Sequence, residues 1–142
     1  MSTESNKALV RRYLEATWNE RDRAAIDEAI APEFIQHTPG VPPGRDGVKG
    51  FFQMIDSAFP DARMTVEDVV AEGDRVVWRF TIHATHTGPF QGIPATGRAV
   101  TITGMNIARM AGGQIVESWG EQDNLGLLRQ LGVVPATGQA KT

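Results

Sequence analysis

The sequence predicts an α+β fold in which three N-terminal helices pack on a curved antiparallel sheet, making a cone-shaped barrel around one apolar pocket. Three observations carry this prediction. Apolar residues recur at three- and four-residue steps as far as Phe59, they alternate from Ala62 onward, and the alternating segments are joined by short glycine-containing connections. Parallel pairing of neighbouring strands would need a crossover of about a dozen residues or more, so these strands form an antiparallel meander.

From Lys7 to Asn19 the residues Val10, Tyr13, Leu14 and Trp18 mark one face of an amphipathic helix, with Ser5 or Asn6 as its cap. Asp22 is placed to cap a second, shorter helix carrying Ile26, Ala29 and Ile30, which Pro32 ends. A short extended piece, Phe34 to His37, leads into the breaker-rich loop Thr38 to Gly44. Val48, Phe52, Ile55 and Phe59 form the stripe of a third helix, and Pro60 stops it. Four strands follow, Arg63 to Ala71, Arg75 to Thr87, Arg98 to Met110 and Gln114 to Gln122. Strands this long coil, and helices on one face of a coiled sheet leave a pocket inside.

At 142 residues the chain suits one domain, 1–134, followed by a small polar tail, 135–142, expected to be disordered. Acids exceed bases by three, and the basic residues are scattered without interleaved aromatics, so neither nucleic acid nor an anionic membrane is an expected partner. Without cysteine there is no disulfide, thiolate nucleophile or thiolate metal site. The polar start of the chain and the lack of roughly 18 consecutive apolar residues point to a cytoplasmic protein.

Strict alternation on the last strand puts Ile115, Glu117, Trp119, Glu121 and Asp123 on one face, and Trp119 is the residue that most favours burial. Asp123 would then point into the pocket. There desolvation raises its pKa toward the range where it can give and take a proton. The same parity buries Glu117 and Glu121, which is costly unless Gly120 marks a bulge or the strand end is wet. Asp123 can also simply cap the helix that follows. His83 and His86 lie three apart on a strand and face opposite ways, so they share no metal ion; no other cluster has ligand spacing, and no metal is expected. His86 shares the parity of Trp78, Phe80 and Ile82 and is read as a hydrogen-bond partner or proton shuttle near the pocket. Asn106 interrupts an apolar strand, and a polar ligand would satisfy its amide. Gln53 lies beside the third helix's stripe and is read as a substrate contact. Trp18, Phe52, Met54, Met105 and Trp119 supply the apolar walls, while Arg79 and Arg109 face outward as ion-pair residues. The glycines between Gly88 and Gly97 follow no phosphate-binding pattern.

Helices first, then a meander that ends in Gly113 to Asp123, resembles the SnoaL-like polyketide cyclases of the nuclear transport factor 2-like superfamily. Trp18-Asn19, Pro32 to His37, Phe59-Pro60-Asp61, Thr85 to Gly88, Gly92 to Gly97 and Leu127 to Gly132 look like recurring patterns of this family. The likeness runs from about Lys7 to Gly132. It implies the cone-shaped fold, a pocket-entrance position for His37, and an acid/base role for the aspartate after the tryptophan, here Asp123. The expectation is a cofactor-free cyclase or isomerase-type enzyme that closes a hydrophobic, polyketide-like substrate by intramolecular aldol reaction. The alternatives are an epoxide-opening cyclase or hydrolase using the same acid, and a non-catalytic binding or assembly module. A homodimer or homotetramer paired through the row Val77, Arg79, Thr81 and His83 is the expected assembly.

Overall fold

Ser2 and Ser5 start the first helix. Each hydroxyl accepts the other residue's backbone N–H, a reciprocal cap that lets α1 (Thr3–Leu14) begin before the position expected from its apolar spacing. A π-helical turn, Glu15–Asn19, continues it. Asn19 then bonds the backbone of Met64 twice, donating from Nδ2 to the carbonyl and accepting at Oδ1 from the N–H, both at 2.9 Å. The helix end is thereby pinned to the start of a distant strand. A computed structural model describes residues 2–134 of the chain, and the tail expected from Pro135 to Thr142 lies outside them.

The short α2 (Ala25–Ala29) ends before Pro32, as expected, but the next residues form a full strand, β1 (Ile30–Gln36), longer than the expected extended piece. Pro32 fits there because β1 pairs on one side only, and the pairing is irregular between Ile30 and Ile35. The apolar stripe of α3 (Gly44–Ala58) stops at Phe59, as its spacing predicts. β2 (Arg63–Glu72), β3 (Arg75–Thr85), β4 (Ala99–Ala111) and β5 (Gln114–Gln122) follow the alternation of the sequence closely, and α4 (Asn124–Gln130) is the last helix of the described residues.

The sheet order is β1-β5-β4-β3-β2, with β1 parallel to β5 and every other pair antiparallel. The expected meander is therefore correct for four strands and incomplete: a fifth, reached by the long crossover through the rest of the chain, adds a parallel edge. The sheet stays open, with β1 and β2 as its edges. Helices pack against it, α1 against β2 and β3, α3 against β1, and α4 against β4. Gln130 fastens α4 to β4 by accepting from the Thr101 N–H and donating to its carbonyl.

Two extra residues break the ladders. Val66 pairs with Phe80 and Asp68 with Arg79, which leaves Glu67 over; Met110 pairs with Ile115 and Arg109 with Glu117, which leaves Val116 over. Each bulge flips the faces beyond it. In β5 the inward residues are Ile115 before the bulge and Ser118, Gly120 and Gln122 after it, opposite Ala108, Asn106 and Gly104 of β4. The expected inward row of Glu117, Trp119, Glu121 and Asp123 is thus corrected, and the bulge sits at Val116 rather than Gly120.

The core lies between this inner face and the helices: Val76, Trp78, Phe80 and Ile82 of β3 with Ile102 and Ala108 of β4, against Val10, Leu14 and Trp18 and against Val48, Phe52 and Ile55. Gly104 is part of that packing. A Cβ there would lie 2.4 Å from Phe80 Cζ and 2.7 Å from the Glu121 carbonyl oxygen. The backbone carbonyl cannot swing away as a flexible side chain would. Gly104→Ala is therefore expected to lower stability by about 1–3 kcal/mol, read as a reduced Tm in a thermal melt.

Candidate functional site

The helices do not fill the concave side of the sheet completely. A cavity of about 400 Å³ remains, walled by Leu14 and Trp18 from the N-terminal helix, Phe51, Phe52, Met54 and Ile55 from α3, and Trp78, Phe80, Ile82 and Ile102 from the sheet. Trp18 meets Phe52 edge to face at 5.0 Å, and Phe52 meets Phe51 at 5.5 Å. These rings give a flat apolar guest wide contact surfaces. The loop after β1, Thr38 to Val41, and Phe90 with Gln91 complete the lining.

Neutral polar groups gather where β1, β4 and β5 meet. Gln36 Oε1 accepts from the Thr38 hydroxyl at 2.6 Å, the Thr38 N–H at 3.2 Å and the Ser118 hydroxyl at 3.4 Å. Asn106 lies beside them. Gly120 keeps this corner open, since a Cβ there would stand 2.6 Å from Thr38 Oγ1 and 2.9 Å from Asn106 Oδ1. Tyr13 lines the cavity from the helix side, and burial pushes its hydroxyl pKa up, against the opposing pull of Arg23, so it stays a neutral hydrogen-bonding group. Among the described residues, Tyr13 and Glu121 are the titratable ones in the lining. Glu121 is exposed and has outward parity opposite Met105, while its carbonyl oxygen approaches Gly104 from within. The cavity interior is thus apolar and neutral.

The expected site residues divide accordingly. Trp18, Phe52 and Asn106 line the cavity together, as does Met54. Asp123 does not. Its side chain is exposed and Oδ1 accepts from the Gly126 N–H at 2.8 Å, capping α4 between two residues, Gln122 and Asn124, that do line the cavity. The parity that would turn it inward fails at the Val116 bulge. Gln53 is exposed on α3, and Met105 is 54% exposed on the outer face of the sheet. His86 has the inward position expected for it and is fully buried, yet it lies behind the cavity wall, beside Phe59 at 5.5 Å and Phe90 at 6.4 Å. Its Nδ1 accepts from the Thr96 N–H at 3.2 Å and lies 3.0 Å from Thr96 Oγ1, which ties the loop between β3 and β4 to the strand end.

His37 and Trp119 belong to the outer face. Their rings stack at 5.1 Å and 11°, and the Arg75 guanidinium lies 5.0 Å from the centroid of the Trp119 ring. His37 Nε2 lies 2.7 Å from Glu117 Oε2, and Arg109 Nε donates to Oε1 at 2.9 Å. The His37 and Arg109 hydrogen bonds hold the Glu117 carboxyl below its usual range. Arg79 pairs with Asp68 on the same outer face, as expected of both arginines. Sequence reading missed Tyr13, Gln36, Trp78 and Ser118 as lining residues, and left the loop from Thr38 either on the surface or at a pocket mouth. Trp78 was recognisable from parity as inward-facing, whereas Ser118 could be found only by knowing the bulge.

The profile of the SnoaL-like polyketide cyclase family matches residues 8–131. TsrD from Streptomyces laurentii is 34% identical, with a TM-score of 0.85 over 94% of this chain and 99% of its own. IdmH from Streptomyces antibioticus, a proposed polyketide cyclase, is 38% identical with a TM-score of 0.79, covering 90% of this chain and 99% of its own. AclR from Streptomyces galilaeus, a proposed hydroxylase, is 30% identical with a TM-score of 0.88, covering 97% of this chain and 91% of its own. No curated protein matches the sequence. Among the described residues, no helix is long and apolar enough to cross a membrane.

Because the folded-state pKa of Glu117 is depressed from 4.5, its contribution to stability is present above that value and is lost as pH falls through the lower, folded value. Asp27, bonded by Lys49, and Asp61, bonded by Thr85, act in the same direction. Thermal melts from roughly pH 6 down to pH 3 should show Tm falling for the native chain and falling less steeply for Glu117→Gln. Parallel slopes would show that Glu117 has no part in acid unfolding.

Proposed function

The chain belongs to the SnoaL-like polyketide cyclase family, and from that premise we propose that it closes a ring in a hydrophobic polyketide-like substrate by intramolecular aldol reaction, without a cofactor. The observation that supports this most is the cavity: about 400 Å³, broad aromatic walls, and a corner of neutral hydrogen-bonding groups suited to keto oxygens. In the reaction a proton leaves a carbon between two carbonyls, the resulting enolate carbon bonds the carbon of a third carbonyl in the same chain, and the oxygen of that carbonyl takes up a proton. Nothing is oxidised or reduced. Folding a flexible chain so that the two carbons meet supplies about 7–11 kcal/mol of the barrier in well-oriented cases, which is what a rigid apolar mould can provide. A positioned acid/base adds about 10²- to 10⁴-fold.

The resemblance assigns the proton to Asp123. The geometry attaches a condition, because the carboxylate stands at the cavity rim and bonds the Gly126 N–H. To act, it must turn from its exposed position toward the cavity or meet the substrate through Oδ2, which the cap leaves free. Asn caps a helix about as well as Asp, so Asp123→Asn keeps the cap and removes the titrating proton. The expected result is an unchanged Tm and ligand affinity with turnover reduced by about 10²-fold or more, measured on a polyketide-like triketone in which a methylene flanked by two carbonyls can reach the third. Undiminished turnover would reduce Asp123 to a cap and move the proton transfer to another group.

A further inference from the structure

Two hydrogen-bond donors on the sheet side of the cavity have no acceptor. Trp78 on β3 is 4% exposed, and its indole N–H is buried without a partner. Asn106 on β4 is directly opposite it in the ladder, and its side-chain amide makes no hydrogen bond among the described residues. Directly opposed residues of antiparallel strands carry their Cβ atoms on the same face about 4.5–5.5 Å apart, and both of these line the cavity. Of the Asn106 side-chain atoms, Oδ1 is the one nearest the place a Cβ would take at Gly120, at 2.9 Å, which leaves the Nδ2 hydrogens for a guest. Buried polar groups in native proteins are satisfied in nearly every case, and one left over calls for a partner from outside the chain.

The geometry points to a carbonyl-binding subsite in which Trp78 Nε1–H and Asn106 Nδ2–H donate together to one keto or enolate oxygen of the ligand. Its chemical class follows from what surrounds it. No Lys, Arg or His lines the cavity among the described residues, so a carboxylate would be buried there without a counter-charge, whereas a neutral ketone would not. Fixed donors bond an oxygen more strongly as it gains negative charge, so a pair that binds a ketone favours its enolate further. This inference rests on the cavity being the ligand site of the proposed function. It does not depend on which group moves the proton, and its test uses no turnover.

The probes are 9-fluorenone, fluorene, which has the same outline without the oxygen, and fluorene-9-carboxylate, each titrated into the full chain. The carbonyl stretch of bound fluorenone is followed by infrared spectroscopy. In the native protein the stretch should lie below its value in cyclohexane, and fluorenone should bind about 10-fold or more tightly than the carboxylate. Trp78→Phe and Asn106→Leu should each weaken fluorenone by about 5- to 10-fold beyond any change for fluorene, and raise the stretch toward the cyclohexane value. A native-state stretch equal to that in cyclohexane overturns the subsite even if Trp78→Phe does not fold. Equal losses for fluorenone and fluorene overturn it while leaving an apolar ligand cavity in place. Failure of all three probes to bind overturns the cavity as a ligand site, and the ring-closure reading with it.

Discussion

The additional residue at Val116 in the β4/β5 ladder decides which side chains the cavity contains. With period-two alternation, one inserted residue exchanges the two faces of everything after it. Beyond Val116, a small hydroxyl, a glycine and an amide face inward at 118, 120 and 122, and Glu117, Trp119 and Glu121 face outward. Had the strand stayed regular, two carboxylates and a large indole would occupy the corner where Asn106, Thr38 and Gln36 now meet. Two unpaired buried carboxylates would oppose folding, and the indole would take up much of the free volume.

Charge is sorted by both bulges. The outer face takes the ion pairs, Glu117 with His37 and Arg109 beyond Val116, and Arg79 with Asp68 beyond Glu67, and the indole of Trp119 meets an imidazole and a guanidinium there. The cavity lining holds amides, hydroxyls and apolar groups, with no Lys, Arg or His among the described residues. An environment of that kind is poorly solvated, so fixed neutral dipoles act on a guest with little screening. Asp123, between the lining residues Gln122 and Asn124, keeps its carboxylate out of this environment and takes its hydrogen bond from the Gly126 N–H.

Packing gives the cavity its permanence. Glycine at 104 lets the Phe80 ring lie against β5, and glycine at 120 leaves room between Thr38 and Asn106. Side-chain amides that imitate backbone fasten helices to the sheet: Asn19 joins the N-terminal helix to the start of the edge strand β2, and Gln130 joins α4 to the central strand β4. Each of these helices is fixed to a strand at its C-terminal end, which limits how far it can close down on the concave face.

Local patterning determined most of the architecture. The apolar stripes at Val10 to Trp18 and Val48 to Phe59, the alternation of four strands and the short glycine turns are properties of neighbouring residues, and they read correctly because helix and strand periods differ. The apolar walls Trp18 and Phe52 and the lone amide Asn106 were legible for the same reason. What tertiary structure alone decided were the features that depend on pairing between distant segments: β1 as a parallel fifth strand, the Val116 bulge, and therefore the outward turn of Trp119 and Glu117 and the capping position of Asp123. A bulge forms because the partner strand's register must be met across the sheet, and no window of adjacent residues contains that partner.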